Sequence, residues 1–262
     1  MTGNISGTKE WATTNENIQI GCEHDCRYCY ARAIALRYKR IERSEDWKFP
    51  IPRKNLRKSF PLRKGTIMFP TTHDITRTNL DAACVHLEKM LVSGNRVLIV
   101  SKPHERCIER LCGDFGKYQD QILFRFTIGT RVDYYQKFWE PNAPDYAERL
   151  GCLKLAHAMG FATSVSAEPF LFKDIDDLVR EVEPYVSDAI WIGKMNKIES
   201  RVVGAGEVHE VIDEVERLGH LYSDAFIHGL YDIFKNDPKV KWKDSIKKVL
   251  GLPVATEAGL DI

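Results

Sequence analysis

Three cysteines stand close together near the start of the chain, in the run Gly21-Cys22-Glu23-His24-Asp25-Cys26-Arg27-Tyr28-Cys29. Their spacing is C-x3-C-x2-C. Thiolates are the natural ligands of iron–sulfur clusters, and three of them can hold three corners of a 4Fe–4S cube. The usual count is four. The next cysteine is Cys84, far outside this loop. One iron would therefore be left open to bind a substrate or cofactor, which points to chemistry rather than electron storage. A structural zinc site is an alternative, with His24 as a fourth ligand. Its ring lies inside the loop between two ligands, which strains a tetrahedron. Three core cysteines are a further alternative. Against it, Glu23, His24 and Asp25 are polar, so the loop does not read as buried.

With an aromatic residue, Tyr28, before the last cysteine, the motif resembles the signature of the radical S-adenosylmethionine superfamily. The resemblance implies that the open iron chelates the amino and carboxylate groups of S-adenosylmethionine. One electron from the reduced cluster then breaks the S–C5′ bond. Methionine and a 5′-deoxyadenosyl radical result, and the radical abstracts a hydrogen atom from the substrate. It also implies that Tyr28 packs beside the adenine, and that a low-potential donor such as flavodoxin or ferredoxin supplies the electron.

The elements that must position these groups alternate along the chain. Strand-like runs fall at 18–20, 65–69, 96–101, 121–128, 162–166 and 188–192. Helical patterns lie between them, near 27–41, 79–93, 104–112, 144–159 and 174–185, the last with Asp174 as N-cap. Six β/α units predict an α/β fold with a parallel sheet and helices outside. The pattern matches the partial (β/α)6 barrel of the radical S-adenosylmethionine enzymes over roughly residues 12–200, within a core domain of 1–200. Residues 201–262 read as a helical C-terminal extension, with apolar faces at 207–218, 221–234 and 241–250 and a loose tail beyond Leu252.

In such folds ligand groups gather at the carboxyl ends of the strands. The cysteine loop follows the first predicted strand. After the second come Thr71, Thr72, His73 and Asp74, which could receive the ammonium of methionine or cap a helix beginning at Ile75. After the third, Lys102 could pair with the methionine carboxylate. Thr127 and Thr130 follow the fourth. Ser166 and Glu168 follow the fifth, and a carboxylate inside a barrel mouth needs a partner. Gly193 and Asn196 follow the sixth, the glycine permitting close backbone approach.

A closer resemblance is carried by Cys-Arg-Tyr-Cys-Tyr-Ala-Arg at 26–32, Thr72-His73-Asp74, Ser101-Lys102, Thr127-Ile128-Gly129-Thr130, Trp139-Glu140-Pro141-Asn142-Ala143-Pro144 and Arg149-Leu150. In this order they are similar to the branch containing spore photoproduct lyase and the DNA repair photolyase relatives. By position Lys102 and Thr127 match residues that contact S-adenosylmethionine there. Arg149 matches an arginine that meets Glu140 or the cofactor carboxylate. One departure stands out. The lyase carries a hydrogen-donating cysteine near the end of its second strand, where this chain has Thr71. Cys84, Cys107, Cys112 and Cys152 fall on predicted helices and read as small core residues.

The net charge of +1 hides an asymmetry. Residues 32–64 hold twelve Lys or Arg and three acids, a local charge of +9, so the remainder carries −8. Tyr38, Trp47, Phe49 and Phe60 are interleaved, and Pro50, Pro52 and Pro61 make an ordered connector. Cations with aromatics suit phosphate attraction and base stacking, and so a nucleic-acid substrate. A solvated connector or a reductase docking patch is the alternative. The same radical chemistry on a peptide or small metabolite, and a non-catalytic Fe–S nucleic-acid-binding protein, are the competing functions. No apolar run approaches the roughly 18 residues of a membrane span. The N-terminus lacks the pattern of a signal peptide. Seven cysteines without even pairing fit a reducing, cytoplasmic setting.

Overall fold

The run Ile122-Leu123-Phe124-Arg125-Phe126-Thr127 shows how the fold is built. Ile122, Phe124 and Phe126 join the large apolar core, while Leu123, Arg125 and Thr127 point the other way, as alternation along a strand requires. A computed structural model describes residue 5, residues 7–202 and residues 209–260. Its strands are β1 (Thr14–Asn15), β2 (Gln19–Ile20), β3 (Ile51–Pro52), β4 (Thr66–Met68), β5 (Arg96–Ser101), β6 (Ile122–Thr127), β7 (Ala162–Ala167), β8 (Ile190–Ile192) and β9 (Val240–Trp242). Its helices are α1 (Tyr30–Arg37), α2 (Leu80–Val92), α3 (Glu105–Phe115), α4 (Asp133–Trp139), α5 (Tyr146–Ala158), α6 (Ile175–Val182), α7 (Ile198–Val202), α8 (His209–Leu221), α9 (Asp224–Phe234) and α10 (Asp244–Leu250).

Seven strands form one parallel sheet in the order β1-β4-β5-β6-β7-β8-β9. Neighbours in the sheet thus follow one another along the chain, as right-handed β/α units dictate. The outer face buries Ile67, Val97, Ile99, Phe124 and Val165 against Leu87 of α2, Leu111 of α3, Leu153 of α5 and Leu178 of α6. Cys84, Cys107, Cys112 and Cys152 pack in the same layer. The inner face carries a separate cluster of Trp11, Met68, Leu98, Ala189 and Trp191. Within it Arg125 is 1% exposed. Its Nε donates to Ser164 Oγ at 2.9 Å and its Nη2 to Asp188 at 2.9 Å, and it lies over the rings of Trp11 and Trp191.

The α/β parallel architecture is the expected one, with two differences in its strands. Residues 19–20 do not open the barrel. They pair antiparallel with β3 in a separate two-stranded sheet. The first barrel strand is β1, two residues long and without an apolar run, so nothing in its composition marks it. Second, a seventh strand, β9, occupies 240–242, where a helix from 241 was expected. Val240 and Trp242 face the outer core, which is strand alternation. The helix expected over 207–218 is found from His209 to Leu221, and 207–208 lie outside the described residues. The tail is not loose throughout. Ala255 is buried, and the Gly259 amide donates to Lys9 O at 2.8 Å.

Gly129, after β6, has no room for a side chain. A Cβ there would overlap the carbonyl oxygen of Pro169. The neighbouring backbone is held by the Leu171 amide, which donates to Gly129 O at 2.8 Å. Gly129→Ala is therefore expected to destabilise the fold by about 1–3 kcal/mol, read as a lower urea midpoint. An unchanged midpoint would show that the two loops can separate freely.

Candidate functional site

Cys22, Cys26 and Cys29 sit on the loop between β2 and α1. Cys29 holds the N-cap position of α1 and makes no side-chain cap bond. The loop is pinned from several sides. The Cys22 amide donates to Trp47 O at 2.9 Å, and the Arg27 amide to Trp139 O at 2.9 Å. Arg32 pairs with Asp25 at 3.0 Å and donates to Arg27 O at 2.8 Å. All three thiols are free of disulfides, and burial pushes each of them up from the ordinary thiol range. Such thiols stay protonated until a metal replaces the proton.

The three cysteines line one cavity of about 400 Å³ at the carboxyl ends of the strands. Tyr28, Thr72, His73, Asp74, Lys102, Thr127, Ser166 and Glu168 line it too. Arg149 does not. It is fully buried behind the wall, with Nη2 2.5 Å from Glu140 Oε2. Its Nε donates to Pro144 O at 2.8 Å and its Nη1 to Thr127 O at 3.1 Å. Of the two partners open to it from sequence, Arg149 takes Glu140.

A row of alternating charges runs through this wall. Lys102 Nζ lies 3.8 Å from Asp74 Oδ2 and 4.0 Å from Glu140 Oε1. Asp74 also accepts from the Lys102 amide at 2.8 Å and lies 2.8 Å from His24 Nδ1. Burial alone would raise the Asp74 carboxyl, but Lys102 and His24 hold it well below the usual range. Burial likewise opposes the Glu140 charge, and Arg149 with Lys102 outweighs it. Burial would depress Lys102, yet Asp74 and the groups around it keep the ammonium charged. Tyr28 donates its hydroxyl to Glu140.

Residues 71–74 do not cap a helix at Ile75, since α2 begins at Leu80 with Asn79 before it. The Thr72 hydroxyl donates to Asn17 at 2.9 Å. His73 Nε2 accepts from the Ile18 amide at 3.2 Å, which leaves the proton on Nδ1, 3.0 Å from Asp74 O. Burial pushes His73 down to about 4, so the ring is neutral and structural. The Thr71 hydroxyl turns back to Glu16 O and Met68 O, at 3.4 and 3.3 Å. His24, expected in a solvated loop, is fully buried. Its Nε2 lies 2.8 Å from His104 Nε2, whose other nitrogen is 3.5 Å from Glu148. Among the described residues, Cys22, His24 and Asp74 also group their donor atoms within 4.8 Å, as a metal site would. Both His24 nitrogens already face hydrogen-bond partners, which disfavours it as a ligand beside three thiols.

On the opposite edge of the sheet Glu168 Oε2 lies 3.6 Å from Lys243 Nζ, which also pairs with Glu10 at 2.8 Å. Burial raises the Glu168 carboxyl, and Lys243 opposes the shift. Gly193 makes room for this pair, because a Cβ there would come within 3.0 Å of both side chains. Sequence reading missed Glu10, Trp47, Lys243 and Arg201. Glu10 and Trp47 come from segments with no strand-end motif, Arg201 lies five residues beyond Asn196, and Lys243 follows a strand that sequence reading took for a helix. Only the alternation through Val240-Lys241-Trp242-Lys243 could have placed Lys243 on the inner face.

Parallel strands in sequential order, with three thiols at the mouth, define a partial α/β barrel with a metal-capable site. Solved structures of spore photoproduct lyase share this fold. The lyase complexed with dinucleoside spore photoproduct superposes with a TM-score of 0.55 at 16% identity, covering 92% of this chain and 79% of that one. A cysteine-to-alanine variant with the same dinucleoside gives 0.53 at 16% identity over the same shares. A double variant with bound AdoMet and the dinucleoside gives 0.50, also at 16% and over the same shares. In sequence, the chain is 27% identical over 191 residues to an uncharacterized protein, ORF301, of Acidianus two-tailed virus. That alignment covers 68% of this chain and 63% of the viral protein, so the chain spans under two thirds of that relative. No family model matches the chain.

Proposed function

We propose that this protein is a radical S-adenosylmethionine enzyme acting on nucleic acid. The observation that carries the reading is the set of three disulfide-free thiols, spaced C-x3-C-x2-C, on the wall of a single cavity at the strand ends. Cys22, Cys26 and Cys29 would hold three irons of a 4Fe–4S cluster and leave the fourth for the cofactor. When bound, the reduced cluster supplies the electron that splits S-adenosylmethionine into methionine and a 5′-deoxyadenosyl radical. Tyr28 walls the adenine side. Lys102 and Asp74 offer opposite charges to the carboxylate and ammonium of the methionine moiety. Thr72, His73, Thr127, Ser166 and Glu168 complete the cofactor wall. Arg149 acts indirectly, by holding Glu140 and the Thr127 carbonyl. The cavity would have to exclude water during turnover to keep a reactive radical from the wrong partner. Residues 1–200 supply the cofactor site, and 201–262 contribute Arg201 to the cavity and Lys243 as the partner of Glu168.

The fold likeness to structures holding a dinucleoside supports a nucleic-acid substrate. The basic segment supports it too. Tyr38 and Phe49 are exposed there, at 62% and 65%, beside Arg37, Arg40 and Lys48. Trp47 of that segment lines the cavity, so the surface borders the site. Spore photoproduct repair itself is disfavoured by Thr71. A flavodoxin or ferredoxin would supply the electron. Among the described residues no helix is long and apolar enough to cross a membrane. The test is anaerobic reconstitution with iron and sulfide, then dithionite and S-adenosylmethionine. Methionine and 5′-deoxyadenosine should form, and faster when the true substrate class is present. Stimulation by peptides but not by DNA or RNA would move the substrate away from nucleic acid. No release at all would remove the enzymatic reading.

A further inference from the structure

The cavity holds two cations that face no direct ion-pair partner among the described residues, although Glu10 and Glu168 share the single Lys243 and so leave one carboxylate to spare. Asp74 and Glu140 are matched by Lys102 and Arg149, and Glu10 with Glu168 flank Lys243. Lys194, just after β8, and Arg201, on α7, line the same cavity. Among the described residues neither makes an ion pair or a side-chain hydrogen bond. Asn196 lines the wall between them in sequence and adds an amide donor. A guanidinium presents five donors in a planar fork. Half-buried without an acceptor, it loses hydration with nothing in return. Burial indeed pushes Arg201 below its ordinary value, opposed only in part by the Glu168 carboxylate. An anion with several acceptor oxygens would satisfy it, and arginine favours the bidentate geometry of phosphate.

We propose that Lys194, Asn196 and Arg201 form an anion subsite that seats a phosphate group of the substrate inside the cavity. The proposal rests on the nucleic-acid reading above and narrows it: the reacting unit enters with its phosphodiester. Lys102, between Asp74 and Glu140, remains for the methionine carboxylate. Arg201 also feels Cys29, Tyr30 and Tyr28, so the subsite borders the cofactor wall.

Equilibrium dialysis with the full chain, reconstituted with its cluster, tests this. The probes are thymidylyl-(3′,5′)-thymidine, with one phosphodiester, and the same dinucleoside with a neutral methylphosphonate linkage. The wild-type protein should hold the charged probe about tenfold tighter or more, as one or two charge-assisted hydrogen bonds allow. Arg201→Gln and Lys194→Gln should each remove about that factor, and Arg201→Lys should restore part of it. S-adenosylmethionine affinity should stay within about twofold, and thermal midpoints should confirm folding. Equal binding of both probes, no binding of either, or loss of cofactor affinity instead would overturn the subsite. Its failure is separable from failure of the enzymatic reading, which shows as absent cofactor cleavage in the wild-type protein.

Discussion

Arg149→Met is expected to lower the unfolding free energy by about 3–5 kcal/mol, the usual cost of stranding a buried charge. Glu140 is 1% exposed and keeps only Lys102 at 4.0 Å and the Tyr28 hydroxyl once the guanidinium is gone. Thr127 O loses the Arg149 donor at the same time, while Pro144 O keeps the Gln136 side-chain amide. For a chain of this size the melting midpoint should fall by roughly 6–20 °C. The double variant Glu140→Gln, Arg149→Met removes both charges and should recover part of the loss. Differential scanning calorimetry of the wild type, Arg149→Met, Glu140→Gln and the double variant closes the cycle. If the single arginine variant melted with the wild type, the charged row would not be holding this wall, and the placement of Thr127 and Tyr28 would need another cause.

Cys26→Ala should abolish cofactor cleavage altogether. Cys26 is 6% exposed, beside Lys102 and Glu140, and no other described thiol lies in its loop except its two motif partners. Two cysteines cannot replace three as anchors. The reconstituted variant should lack the brown iron–sulfur absorption and release 5′-deoxyadenosine only at background. Cys112→Ala is the control. That thiol is buried in the outer core, away from the cavity, and its variant should keep the colour. Retained cleavage by Cys26→Ala would exclude the three-thiol cluster as the source of activity.

Much of this site was legible because strand ends converge. Once the parallel pattern was read, Lys102, Thr127, Ser166 and Glu168 had to meet near one mouth, and they do. Strands rich in β-branched and aromatic residues, such as β5 and β6, announced themselves. What failed were features set by distance in sequence. β1 exists only because the Thr13 amide reaches Thr66 O and the Glu16 amide reaches Met68 O. His24 read as solvated because its partners, Asp74 and His104, lie 50 and 80 residues away. Asp174 holds the N-cap position of α6 as expected, but its carboxylate makes no cap bond and accepts from Thr130 Oγ1 and the Arg131 amide across the β6 loop. Local polarity says that a group needs a partner. It does not say whether that partner is water.

The floor of the barrel is joined by residues made at very different times. Lys243 reaches Gly7 O across 236 residues, and the Asp244 amide reaches Glu10 across 234. On a ribosome the cysteine loop emerges long before either contact exists. Closing so large a loop comes late in folding, because its entropy must be lost before the contact forms. On the proposed reading, the thiols would be loaded with iron and sulfide most easily before these contacts close the vessel.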